Sequence, residues 1–159
     1  MPIADILRYN SLTWPDRVAL VAGDRRITFS ELEHAVWRLA GAMSGLCGPG
    51  DRVGILAQNV PEYVEALYGV PSAGLVLTLL NYRLNAKEWA WILANAEARV
   101  ILVEQAYLAD LDNGVFERLG RYEAALWRQV RQTLFTLEAL RWRTSKPRNW
   151  RTSILGGEL

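Results

Sequence analysis

The sequence predicts an α/β protein, a mostly parallel sheet flanked by helices and followed by a helical or irregular tail. Three observations carry this. The apolar runs Val53–Ala57, Leu75–Leu80 and Val100–Val103 are uncharged and uninterrupted, as strands covered on both faces are. Between them lie stretches of about a dozen residues with helical apolar spacing and helix-capping residues at their starts, which imply βαβ crossovers. Past residue 112 the alternation stops.

Ile3 to Leu12 reads as a short helix with Ile3, Ile6 and Leu7 on one side, punctuated by Pro15 and Asp16. Val18–Val21 is a short apolar run fit for a strand. Gly23-Asp24 makes a turn, and Arg26–Phe29 resumes as a second strand. Ser30 followed by Glu33 has the pattern of a capping box. The helix it opens places Leu32, Val36, Leu39, Met43 and Leu46 at alternating spacings of 4 and 3, one apolar face. Gly48-Pro49-Gly50 stops it before the strand Arg52–Ala57.

Pro61 suits the first turn of the next helix, on which Val64, Leu67 and Tyr68 are expected to face inward. Pro71 and Gly74 end or kink that helix, and Leu75–Leu80 follows as a buried strand. Asn85 with Glu88 forms a second capping pattern, ahead of a helix carrying Trp89, Ile92, Leu93 and Ala96. Val100–Val103 is a further strand. Val115, Leu119, Tyr122, Leu126, Val130, Leu134 and Leu137 recur at helical spacing, so an amphipathic helix is expected over 115–140.

Composition bounds the rest. A chain of 159 residues, 51% hydrophobic and 22% charged, is one domain's worth of globular sequence. A single cysteine, Cys47, excludes an internal disulfide framework, and a single histidine, His34, excludes a histidine metal cluster. The longest apolar run, Ala73–Leu80, is too short to span a bilayer, and the N-terminal stretch lacks the pattern of a secretory signal. A cytoplasmic protein with no transmembrane segment is the expectation. The net charge of +1 hides a split. Residues 1–112 hold 9 Lys+Arg and 13 Asp+Glu, a net of −4, whereas residues 113–159 hold 9 and 4, a net of +5. Two segments are therefore expected, 1–112 and an atypical basic tail, 113–159.

Chemical motifs are scarce. No Gly-x-x-x-x-Gly-Lys-Ser/Thr occurs. Gly48-Pro49-Gly50 follows its helix instead of opening one, so it cannot aim a helix N-terminus at a phosphate. His34 is expected on an exposed helix face and Cys47 as a buried structural thiol without a basic neighbour in sequence. Glu62 and Glu65 are expected on a solvated face. Asn81-Tyr82-Arg83 stands at the end of a strand, where open α/β sheets place ligands. It is the candidate functional loop, the competing reading being that Asn81 and Arg83 only hydrogen-bond the turn ahead of Asn85.

Six segments in order resemble one family. Pro15–Leu20 looks like its opening motif and Thr28-Phe29-Ser30-Glu31-Leu32 like its "TYxEL". Gly50-Asp51-Arg52-Val53-Gly54-Ile55, followed by Asn59 and Pro61-Glu62, resembles "GDRVai". Ala73-Gly74 and Leu80-Asn81-Tyr82-Arg83-Leu84 resemble "aGa…PLNpRL". Glu88 with Ile92-Leu93, then Ala98–Ile101, complete the series. The family is that of the adenylate-forming (AMP-binding) acyl-CoA synthetases, of the fatty-acid or carboxylate CoA ligase type.

The resemblance implies that residues 1–112 are the N-terminal subdomain of the adenylate-forming fold. Members activate a carboxylic acid, such as a fatty acid, with Mg-ATP to an acyl-adenylate and then pass the acyl group to coenzyme A. The family's phosphate loop, "TSGTTGxPKG", has as its nearest counterpart Thr152-Ser153-Ile154-Leu155-Gly156-Gly157, which keeps Thr-Ser and lacks the lysine. No catalytic, cofactor-binding or metal residue is therefore carried over. ATP, Mg and coenzyme A belong to the full-length family, with none expected for this chain. The chain is read as an N-terminal fragment, inactive alone, whose tail departs from the family, as a frameshift would produce. The alternative is a non-enzymatic interaction module whose basic tail helix binds a partner or an anionic surface. Nucleic acid is the less favoured partner.

Overall fold

The computed structural model describes residues 3–114 and 134–136. Helix α1 (Ile3–Thr13) leads into a hairpin of β1 (Val18–Ala22) and β2 (Arg25–Thr28). Then α2 (Phe29–Ser44), β3 (Arg52–Leu56), α3 (Pro61–Ser72), β4 (Val76–Leu80), α4 (Ala86–Asn95) and β5 (Ala98–Val103) alternate as the sequence predicts. A 3₁₀ turn (Gln105–Tyr107), α5 (Leu108–Gly114) and the short β6 (Leu134–Thr136) follow.

The main sheet has the order β4-β3-β5-β6, every neighbour parallel. Side chains alternate along its strands, so each face needs its own cover. Val53, Ile55, Val100 and Leu102 meet Leu39 and Met43 of α2 and Ala66 and Val70 of α3 on one face. Leu56, Leu80, Ile101 and Val103 meet Trp89, Ala90 and Leu93 of α4 and Leu111 of α5 on the other. Ile55, Leu56, Leu102 and Val103 have no exposed surface. The uninterrupted apolar runs of β3 and β5 are thus explained by two covered faces. The β1–β2 hairpin forms a separate antiparallel sheet. It packs with α1 and α2 around Leu7, Leu32 and Val36. Arg25 of β2 ties it to α3 by an ion pair with Glu62, at 3.3 Å.

Several expectations are corrected. The capping box of α2 is Thr28 with Glu31, two residues before the Ser30–Glu33 expected. The Thr28 hydroxyl accepts from Glu31 N at 3.2 Å and the Glu31 carboxylate accepts from Thr28 N at 2.8 Å. Phe29 accordingly opens the helix instead of ending a strand. Glu33 serves another contact: its carboxylate accepts from the Ser11 hydroxyl of α1 and from Trp37 Nε1.

On α1, Leu7 is buried but Ile6 is exposed. On α3 the deepest residues are Ala66, Gly69 and Val70, with Val64, Leu67 and Tyr68 half-buried. Gly69 lets α3 approach α2 closely, since a Cβ there would lie 3.1 Å from the Val36 carbonyl. Pro71 does not interrupt α3, which runs to Ser72; Gly74, at φ +73°, makes the turn into β4. Among the described residues β4 is an outer strand with Val76 and Leu79 each 51% exposed, not the buried strand expected.

Glu62 is 8% exposed and paired with Arg25, so it is not on a solvated face. The expected 115–140 helix does not run through Leu134–Thr136, which pair as β6 with Ile101–Val103 of β5. A β-strand-prone Leu-Phe-Thr finds backbone partners on that strand, and such long-range pairing outweighs local spacing. The remainder of 115–140 lies outside the described residues, as do residues 152–157.

Candidate functional site

The parallel register aligns the carboxyl ends of three strands. Leu56 of β3 pairs with both Leu80 of β4 and Val103 of β5. The loops that leave them, beginning at Ala57, Asn81 and Glu104, therefore share one rim. This is the edge at which open α/β sheets hold ligands.

Asn81, Tyr82 and Arg83 all lie on this rim. The Asn81 side-chain oxygen accepts from Arg83 N at 3.0 Å, an Asx turn. The Asn81 carbonyl accepts from Leu84 N at 3.1 Å and from Trp89 Nε1 at 2.9 Å. A capping box of Asn85 and Glu88 then starts α4, with the Asn85 side chain accepting from Lys87 N and Glu88 N. Asn81 thus does the structural work of the competing reading, and the turn it fixes holds Tyr82 and Arg83 in place.

Tyr82 is half-buried against Tyr107, ring centroids 6.3 Å apart, and Tyr107 meets Trp89 edge-on at 6.0 Å. The Arg83 guanidinium lies 5.6 Å from the Tyr82 ring centre and stays exposed. Sequence reasoning missed Glu104 and Gln58. The Glu104 carboxylate accepts from Gln58 N at 2.8 Å while its own N–H donates to the Leu56 carbonyl at 2.9 Å. The position of Glu104 directly after an apolar strand was the available signal, but only the register brings it to Gln58.

The rim offers one exposed guanidinium, one tethered carboxylate, amides and aromatic rings. That set can bind and orient a ligand. Among the described residues it brings together no paired nucleophile and base, and no group of three or more His, Cys, Asp or Glu there could hold a metal ion. His34 is exposed, as expected. Cys47 is half-buried; burial first and then the Asp51 carboxylate push its thiol pKa up, while Arg99 opposes them. A thiol shifted that way is a poor nucleophile.

The opposite end of the sheet carries an ionic network. Arg99 Nη1 donates to Asp51 Oδ2 at 3.0 Å and Gly48 N donates to the same oxygen at 2.8 Å. Arg52 bonds the Ala96 carbonyl at 2.7 Å and pairs with Glu97. The Arg99 hydrogen bond, helped by Gly48 N–H and by Arg52, holds Asp51 below the usual carboxylate range. A folded-state pKa below the unfolded one stabilises the fold above the unfolded value, and this contribution fades as pH falls through the folded value. The melting-temperature difference between the parent chain and Asp51→Asn should therefore be largest near neutral pH and shrink progressively as pH falls below the ordinary Asp value of about 3.9. Thermal melts at several pH values read this directly, and a pH-independent difference would refute it.

With the fold and rim described, the comparisons identify the class. The profile described as "AMP-binding enzyme" matches residues 7–148, and the chain belongs to that family. The match continues past residue 112. The chain is 38% identical over 94 residues to the peroxisomal acetate/butyrate–CoA ligase of Arabidopsis thaliana, spanning 58% of this chain and 16% of that protein. It is 35% identical over 107 residues to the medium/long-chain-fatty-acid–CoA/3-oxocholest-4-en-26-oate–CoA ligase of Mycobacterium marinum, spanning 66% of this chain and 19% of that one.

Among solved structures, the N-terminal domain of FACL13 from Mycobacterium tuberculosis superposes with a TM-score of 0.76 at 25% identity, covering 90% of this chain and 36% of that chain. A fatty acyl CoA synthetase of the same organism gives 0.75 at 26% identity, covering 89% and 28%. The chain is thus an acyl-CoA ligase family member that corresponds to part of the N-terminal domain, and it spans under a fifth of the length of these curated relatives.

No described helix is long and apolar enough to cross a membrane.

Proposed function

We propose that these 159 residues form the opening part of an AMP-forming acyl-CoA ligase for a fatty or other carboxylic acid, and that they are inactive alone. The observation that carries the family side of the reading is the profile match over 7–148. The inactivity follows from chemistry that the residues lack. Thr152–Gly157 keeps only the Thr-Ser of a phosphate loop and lacks its lysine. The role of this part is then to present the rim loop. Asn81 fixes the turn, while Tyr82 and Arg83 face what binds there. ATP, Mg, coenzyme A and the carboxylic acid are handled by the longer enzyme.

ATP–pyrophosphate exchange with the purified chain and acids from acetate to long-chain fatty acids should show no carboxylate-dependent signal. Exchange above a buffer control would overturn the inactivity. The origin of the basic tail is read from the encoding DNA. A phosphate-loop motif in a shifted frame past codon 105 would support a broken reading frame, and its absence from the other frames would reject one.

A further inference from the structure

We infer that Arg52, in the Gly50-Asp51-Arg52 motif at the start of β3, is a positioning residue for the rim turn at the other end of the sheet, acting through α4. The motif supplies none of the rim's own groups, yet both of its charged side chains reach across to the α4–β5 connection. Asp51 accepts from Arg99 of β5. Arg52 grips the end of α4: its Nε donates to the carbonyl of Ala96, the C-cap, at 2.7 Å, and its guanidinium pairs with Glu97. The β3–β5 register shifts here, setting Ala98 against Arg52 and Val100 against Val53 and skipping Arg99.

Helix α4 needs this grip. It has no basic residue in its last turn to offset the negative end of its dipole. Its exit turns on Glu97 at φ +49°, the one non-glycine with a positive φ among the described residues, whereas Gly74 makes the corresponding turn after α3. Glycine is usual at that place because side chains are strained in the left-handed region. Arg52 brings from β3 the charge and the donor that α4 lacks. The Glu97 carboxylate is exposed, so the ion pair by itself adds little. The partly buried, charge-assisted bond to the Ala96 carbonyl is the stronger contact.

The helix carries this grip to the rim. Between its ends α4 meets the sheet through Trp89, Ala90 and Leu93. Such apolar contacts have no direction, and they fix the distance of a helix from a sheet better than its position along its own axis. Directional bonds at the two ends settle that position. At one end is Arg52. At the other, Trp89 Nε1 donates to the carbonyl of Asn81, the residue that fixes the turn under Tyr82 and Arg83. The 10 residues of α4 span about 15 Å between them. The consequence for binding rests on the proposed role of the rim. The position of the turn does not, and it can be read whatever the rim binds.

Amide hydrogen exchange of the full 159-residue chain tests this. The reporters are the Arg83 and Leu84 N–H groups, both bonded to Asn81, and the reference is the β1–β2 hairpin in its separate sheet. Arg52→Ala should speed exchange of the reporters by at least about fivefold and leave the hairpin within about twofold of the parent. Arg52→Lys keeps the charge but offers one nitrogen in place of two. It should fall between Arg52→Ala and the parent, and it carries the test if Arg52→Ala does not fold. Arg99→Ala breaks the Asp51 half of the network without touching α4 and should leave the reporters at the parent rate. Adding Glu97→Gly to either Arg52 variant should restore much of the lost protection, because glycine makes the left-handed turn unaided. Reporters unmoved in both Arg52 variants, an equal rise in the hairpin, an equal rise in Arg99→Ala, or no recovery with Glu97→Gly would each overturn the inference.

Discussion

Replacing Trp89 by alanine is expected to lower the stability of the fold by about 3–5 kcal/mol, the usual cost of a buried indole. Trp89 is 3% exposed and fills the space between α4 and the sheet, in one cluster with Leu56, Leu80, Leu93, Ile101, Val103 and Leu111. These neighbours sit on strands and helices that cannot all close in, so most of the volume would remain as a cavity. The lost hydrogen bond is the smaller part. The Asn81 carbonyl that accepts from Trp89 Nε1 also accepts from Leu84 N, so it would keep a partner. Trp89→Phe separates the two effects. It keeps most of the packing, loses the N–H, and should cost nearer about 1 kcal/mol from the hydrogen bond plus a smaller packing loss. Urea denaturation of the three proteins measures both differences. A Trp89→Ala change below about 1 kcal/mol would mean that the site collapses around the smaller side chain. Since domains have net stabilities of only about 5–15 kcal/mol, the expected loss would loosen the Asn81–Arg83 turn as well.

Trp89 also illustrates what was legible in the sequence. Its helix was readable because Asn85 and Glu88 cap it locally, and local capping needs no knowledge of the rest of the fold. The strands β3 and β5 were readable because burial on both faces leaves an uninterrupted apolar run. The same run in β4 misled, because Val76–Leu80 is as apolar as its neighbours yet lies outermost, and strand order is not written in any one strand.

The sequence leaves the α2 cap ambiguous by two residues, because Thr28-x-x-Glu31 and Ser30-x-x-Glu33 both satisfy the pattern. What decides between them is distant, since Glu33 is engaged by Ser11 of α1. The burial of Glu62 escapes the sequence for a similar reason: its ion-pair partner, Arg25, is 37 residues away. Of the rim, Asn81, Tyr82 and Arg83 were visible as a strand end. Glu104 and Gln58 became visible only when the β3–β5 register placed them together.

Gly54→Val is expected to cost about 3 kcal/mol, the upper end of the usual range for overpacking. Gly54 sits mid-strand in β3, where glycine is intrinsically unfavourable. Its presence has a packing cause. A Cβ at position 54 would stand 2.6 Å from Leu93 Cδ2 and 3.7 Å from Ile101 Cγ1. A leucine methyl at a surface could swing aside, but Leu93 is 2% exposed and held among Trp89, Ala90 and Ile101. Gly54→Ala would force Leu93 into another rotamer, and valine's two further methyls would press α4 off the sheet. If this contact is the cause, shortening Leu93 should relieve it. Leu93→Ala alone should destabilise by about 2–5 kcal/mol through its cavity, yet in the double variant the valine would fill part of that space. The double variant should then be more stable than the sum of the two single losses predicts, with a coupling of about 1–3 kcal/mol. Strict additivity in denaturant titrations would show that Gly54 is required for some other reason. The outcome decides whether α4, and with it the turn that presents Tyr82 and Arg83, owes its distance from the sheet to this one missing side chain.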